Sequence, residues 1–232
     1  MGDTRAFAVI LDSTRGTRHL DSTQSSPTSL ETLESQRTVL DWTLSALSSC
    51  GIEDVTYVGG YHIQKVIERY PGLGYRYQSG WARQGEVAAL ELARPASPGR
   101  CLIIRSNVIC VPDALRKLIA VQHQVAAGFY EDGPARNFIG LIALPEALCL
   151  RAFDVADSLI RREPGSQLEG WLSAMDEQGL GVQRVALDSL AAPVSDSAAV
   201  ARTVVGRAVH RILIRVAPYQ FCNVLVFIGH KV

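Results

Sequence analysis

Residues 7–20, FAVILDSTRGTRHL, constrain the fold more than any other stretch, because an apolar strand there empties into a turn holding Gly16, Thr17 and two arginines. A strand, a short Gly/Thr/Ser turn and a following helix present unpaired backbone N–H groups to a bound anion, and Arg15 and Arg18 add fixed positive charge. Asp12 sits inside the same loop. A carboxylate facing a phosphate is repelled by about 4 kcal/mol at ~4 Å in an effective dielectric of ~20. The loop therefore both invites and resists a phosphorylated ligand.

The rest of the chain repeats the strand-then-helix rhythm of a mostly parallel sheet covered by helices. Residues 38–50 place Leu40, Leu44 and Leu47 on one helical face, with Thr38 and Asp41 as a capping box and Gly51 as the stop. A short buried strand follows in DVTYVGGY, then a helix over 62–69 ended by Pro71 and Gly72, and a strand in YRYQ. A helix is expected over 84–94, a central strand in CLIIRSNVICV, and a helix starting at Pro112. Further on, NFIGLIAL reads as a strand, residues 145–163 and 167–179 as helices, and GVQRVAL as a strand. A helix is expected from Asp196 to about Val205, and the apolar tail after Tyr219 reads as a strand whose free edge would favour a homodimer.

A chain of 232 residues, 47% hydrophobic and 20% charged, suffices for one sizeable core. With 23 basic and 23 acidic residues it carries no net charge, which disfavours a nucleic-acid partner. No stretch approaches ~18 uninterrupted apolar residues, so a cytoplasmic protein without a membrane partner is expected. Cys50, Cys101, Cys110, Cys149 and Cys222 are widely spaced and read as free thiols, and the histidines do not fall at metal-ligand spacing.

The order of these parts resembles the nucleotidyltransferases that activate sugar phosphates and small phosphorylated or phosphonate metabolites on a GT-A-like Rossmann fold. Their opening strand runs into L-A-A-G-x-G-T-R and then a Lys in P-K-x-L; this chain has L-D-S-T-R-G-T-R followed by P-T-S-L. C-G-I-E-D-V-T-Y-V-G-G-Y resembles the family's helix, turn, strand and G-Y element through Gly60 and Tyr61. YQSGWARQGEVAALELA resembles the segment that carries Trp, Thr-Asn and Ser-Leu in relatives, and LIIRSNVICVP lies where the family has a strand ending in Gly-Asp.

The resemblance implies an α/β three-layer sandwich with a mixed, mostly parallel sheet: a domain over 1–206 and a C-terminal extension over 207–232. It also implies transfer of an NMP group from an NTP to a small phosphorylated acceptor, with Mg2+ offsetting negative charge. Nucleotide contacts map onto Leu11, Asp12, Ser13, Thr14, Gly16, Thr17, Gly60, Tyr61 and Gln84, the catalytic cations onto Arg15 and Arg18, and the metal positions onto Asn107 and Asp196. Thr28 occupies the lysine position, Gln84 and Gly85 replace Thr-Asn, Ala89 replaces Ser, and Asn107 replaces the metal aspartate. These replacements support an alternative, a degenerate relative that binds a nucleotide, sugar or protein partner without turnover; a glycosyltransferase-like enzyme is a third.

Several of these residues also have plain structural readings. Asp12 is a relocated metal ligand or a turn cap, Asn107 a weakened metal ligand or a strand-end residue, and His62 a proton carrier or a helix-start residue. Trp81 and Trp171 read as packing residues, and Gly60 and Tyr61 as a simple turn or a base contact.

Overall fold

The computed structural model describes residues 5–12, 26–32, 36–130, 137–188 and 190–194. Its first four sheet strands are β1 (Ala6–Asp12), β2 (Asp54–Gly59), β3 (Gly74–Tyr77) and β4 (Arg100–Arg105), all mutually parallel. Strand β5 is Val108–Cys110, β6 Val125–Phe129, β7 Phe138–Leu144, β8 Val182–Ala186 and β9 Ala191–Pro193. The main sheet has seven strands in the order β3-β2-β1-β4-β7-β6-β8, and β7 alone runs against its neighbours. A mixed, mostly parallel sheet is what the alternating strand and helix signals predict.

Helices cover both faces: α1 (Val39–Ser48), α2 (Ile63–Arg69) and α4 (Pro112–Ile119) on one, α3 (Glu86–Glu91), α5 (Glu146–Arg162) and α6 (Leu168–Glu177) on the other. Successive strand residues point to opposite faces, and this parity sorts the core into two clusters. Ala8 and Ile10 of β1, Val55 and Tyr57 of β2, and Leu102 and Ile104 of β4 pack under α1, α2 and α4. Phe7, Val9, Leu11, Val58, Cys101 and Ile103 pack under α3, α5 and α6. Parity carried one step past each strand end decides which side chains meet at the carboxyl edge of the sheet.

The capping box on α1 forms as read: the Thr38 N–H donates to Asp41 Oδ2 at 2.7 Å, and the Asp41 N–H donates to Thr38 Oγ1 at 3.1 Å. Four cysteines are described and all are free thiols, with Cys101, Cys110 and Cys149 buried. Burial pushes the Cys110 thiol up to about 12.

One sequence expectation needs correction, and two strands, β6 and β9, went unread. CLIIRSNVICV is not one strand: the Ser106 N–H caps the β1–β4 ladder by donating to Leu11 O at 2.9 Å, the chain turns at Ser106–Asn107, and β5 pairs with β9 in a separate two-stranded sheet. The Thr43 hydroxyl of α1 donates to Val108 O at 3.2 Å, and β5 is buried against that helix, so two pieces of different sheets read as a single apolar run. Strands β6 and β9 carry too few branched residues to announce themselves; neighbouring strands bury them. The expected helix from Asp196 and the tail strand lie outside the described residues. Among the described residues, no helix is long and apolar enough to cross a membrane.

Candidate active site

In open α/β sheets ligands bind beyond the carboxyl ends of the strands, where the strand order changes direction. Here the order runs outward through β2 and β3 on one side of β1 and through β4 on the other, so the switch lies between β1 and β4. Asp12 is the last residue of β1, and Ser106 and Asn107 directly follow β4.

Parity brings Asp12 and Ser106 to the same side as Tyr57. Ser106 Oγ donates to Asp12 Oδ1 at 2.8 Å, and the Tyr57 hydroxyl donates to Asp12 Oδ2 at 2.6 Å. The Tyr57 hydroxyl also pairs with Ser29 Oγ at 2.8 Å, on the 3-10 turn Thr28–Leu30. Tyr57, Ser29 and Ser106 are 0, 0 and 3% exposed. Burial, and then the Asp12 carboxylate, hold the Tyr57 phenol well above its ordinary value, so it remains an O–H donor. A hydrogen-bonded chain Ser29–Tyr57–Asp12–Ser106 thus ties the 3-10 turn, β2, β1 and the end of β4 together. Asp12 is the anchored floor of the edge.

The Oδ1 of Asn107 is buried and makes no hydrogen bond within the described structure. Asn107 directly follows Ser106, which donates to Asp12, and a neutral amide oxygen together with a carboxylate is a donor set that suits a hard cation. The residues fit a divalent ion that draws its remaining ligands from phosphate oxygens and water. No group of three or more His, Cys, Asp or Glu side chains with metal-binding geometry occurs among the described residues.

The second wall follows β2. A Cβ on Gly60 would lie 2.3–2.5 Å from side-chain atoms of Trp81, so only glycine lets the tryptophan lie over the β2 end. Tyr61 stacks at a tilt on Trp81 with centroids 5.3 Å apart, and His62 meets Tyr61 edge-on at 4.3 Å. His62 caps the start of α2 in the left-handed conformation, φ 46°. Gln84 is exposed, and its side chain folds over Gly80 in the turn before α3. Trp81 therefore packs as read, and it also forms an aromatic wall with Tyr61. Trp171 is fully buried and donates to Ala152 O at 2.9 Å.

Arg105 obeys the opposite parity and turns to the α3/α6 face. Its guanidinium pairs with both oxygens of Glu86, at 2.7 and 2.6 Å, and with Glu169 at 2.8 Å. Glu86, 2% exposed, also accepts from the Leu168 N–H at 3.2 Å. This network braces β4 beneath the Ser106–Asn107 turn.

Of the residues read from the sequence, Asp12, Gly60, Tyr61, Gln84 and Asn107 lie at or beside this edge. Leu11 is fully buried in the core, which leaves its backbone to border the edge. Ser13, Thr14, Arg15, Gly16, Thr17, Arg18 and Asp196 lie outside the described residues. Sequence reasoning missed Tyr57, Ser29 and Ser106, although the two-residue spacing from the Val55 and Ile104 core positions places Tyr57 and Ser106 on the face of Asp12.

No protein-family model matches the chain, and no curated protein matches it in sequence. Solved structures do match its fold. A Bacillus anthracis protein assigned as a glucose-1-phosphate thymidylyltransferase superposes with a TM-score of 0.65 at 13% identity, over 88% of this chain and 96% of its own. The inositol-1-phosphate CTP transferase of T. maritima gives 0.66 at 13% identity, over 87% and 96%. The CTP:phosphocholine cytidylyltransferase of Streptococcus pneumoniae gives 0.61 at 16% identity, over 90% and 99%. The fold is that of these nucleotidyltransferases.

Proposed function

We propose that the protein is a nucleotidyltransferase-like transferase that moves an NMP group from an NTP to a small phosphorylated acceptor, a sugar phosphate or a phosphonate. The observation that carries this reading is the polar edge at the β1/β4 switch point, with Asp12 anchored by Tyr57 and Ser106, and Asn107 Oδ1 buried without a partner, in a fold shared with three phosphate-activating transferases.

In the reaction an acceptor phosphate oxygen attacks the α-phosphorus, the bond from that phosphorus to the bridging oxygen breaks, and pyrophosphate leaves with its electron pair. Such chemistry needs positioning and charge neutralisation more than covalent participation. Asp12 and Asn107 would hold Mg2+, which when bound offsets the charge on the phosphate oxygens. Arg15 and Arg18 would bind the triphosphate, Gly16 and Thr17 would offer backbone N–H groups, and Tyr61 and Trp81 would flank the base or sugar.

The residue standing where the resembled family carries its lysine favours a second reading, binding without turnover: Thr28, in the 3-10 turn, brings no charge to the edge. Titration with each of the four NTPs, with and without Mg2+, followed by a pyrophosphate-release assay over a panel of sugar phosphates and phosphonates, separates the two. Mg2+-dependent NTP binding with acceptor-dependent pyrophosphate supports transfer. Binding without release supports the second reading, which also expects Thr28→Lys with Asn107→Asp to create activity the parent lacks.

A further inference from the structure

A cavity of about 600 Å³ opens at the opposite edge of the sheet, where β4 and β6 begin and β7 ends. Arg100, the first residue of β4, and Arg151 of α5 line it together with His123, which precedes β6. Neither arginine has an ion-pair or hydrogen-bond partner for its guanidinium among the described residues, whereas Arg94, Arg105, Arg116 and Arg161 are all paired. Glu146 is the one carboxylate in the lining, so two guanidinium groups against one acid leave the cavity net positive in a chain of zero net charge. Pro145 and Leu150 supply an apolar wall.

Two guanidiniums without a partner among the described residues, lining one concave surface of this size, suit a small dianion with a carbon skeleton. Arginine's planar fork matches phosphate oxygens in pairs, and a phosphomonoester brings about two negative charges at neutral pH. The volume lies within the ordinary range for small-molecule sites, roughly 300–1,000 Å³. Glu146 opposes the dianion itself, and its carboxylate is the lining group able to accept from hydroxyls on the remainder of the molecule.

We propose that this cavity is a second ligand site, for a small phosphomonoester held by Arg100 and Arg151, at the sheet edge remote from the candidate active site. It does not rest on the transferase reading. Parity and topology place His123 at this edge and His62 at the other, so the two imidazoles report the two edges separately.

The test is a titration of the full chain with glycerol 3-phosphate, with glycerol and sulfate as controls, followed by the imidazole NMR signals. The expected result is a saturable shift at His123 with glycerol 3-phosphate, none with glycerol, and weaker binding of sulfate. Arg100→Gln with Arg151→Gln should raise the dissociation constant at least about tenfold, and Glu146→Gln should lower it. Arg151 is exposed, so Arg151→Gln alone preserves the test if the double variant does not fold. Shifts confined to His62, no saturation at His123 by about 10 mM, equal affinity for sulfate, or unchanged affinity in the arginine variants would each overturn the proposal. Loss of pyrophosphate-release activity has no bearing on this readout.

Discussion

Replacing Tyr57 by phenylalanine removes one hydroxyl and nothing else from a ring that is fully buried, so neither a cavity nor a loss of apolar packing accompanies it. The hydroxyl donates to the Asp12 carboxylate at 2.6 Å and pairs with Ser29 Oγ at 2.8 Å. A hydrogen bond to a charged group contributes about 1.5–3 kcal/mol, and a buried Ser29 hydroxyl left without its partner adds about 1 kcal/mol. The variant should therefore lose about 3 kcal/mol, or roughly 6–12 °C of melting temperature at this chain length. Urea unfolding of Tyr57→Phe, Asp12→Ala and the double variant measures it, with a coupling energy above about 1 kcal/mol expected. The sign with pH is also fixed. The phenol is held well above its usual 10.0 in the folded state, so its contribution is intact below pH 10.0 and declines as pH rises towards the folded value. Wild type should lose stability above pH 10.0 more steeply than Tyr57→Phe. A loss under about 0.5 kcal/mol, additive variants, or identical alkaline profiles would refute the hydrogen-bonded chain as the organiser of the edge.

Two further changes probe the frame beneath the site. Arg105→Met leaves Glu86 as a buried, uncompensated carboxylate and should cost about 3–5 kcal/mol by denaturant unfolding, whereas Glu169→Gln, at an acid that is 51% exposed, should cost under about 1 kcal/mol. Thr38→Ala removes the cap of α1 and the Thr38–Tyr70 hydroxyl pair at 2.6 Å, and should lower stability by about 1–2 kcal/mol in a thermal melt.

The architecture was legible because it rests on local chemistry. The capping box at Thr38 and Asp41, Pro112 at the first turn of α4, and apolar runs such as Phe7–Leu11 are signals a few residues long, and each appears where it was read. What failed was long-range in origin. Strand β6 is buried by β7 and β8 rather than by its own composition, and the break at Ser106–Asn107 exists because Ser106 N–H meets Leu11 O and β5 meets β9. The candidate site divides in the same way. Asp12, Gly60, Tyr61 and Asn107 stood out by residue type at strand ends, but Asp12 read as a phosphate-repelling intruder because its anchors are 45 and 94 residues away. Tyr57 and Ser106 look like an ordinary core tyrosine and a turn serine until the β1–β2 and β1–β4 registers align them with Asp12. Glu86 and Arg105, 19 residues apart on a helix and a strand, gave no sequence sign of their pairing.

Pyrophosphate release tests most directly whether the β1/β4 edge binds an NTP and transfers its NMP group. Pyrophosphate release should be measured with each NTP, Mg2+ and a panel of sugar phosphates and phosphonates, in the wild type and in Asn107→Ala. Release should require one NTP, Mg2+ and one acceptor together and fall at least about tenfold in Asn107→Ala; NTP binding without release across the panel, or release indifferent to Asn107, would rule out NMP transfer at this edge.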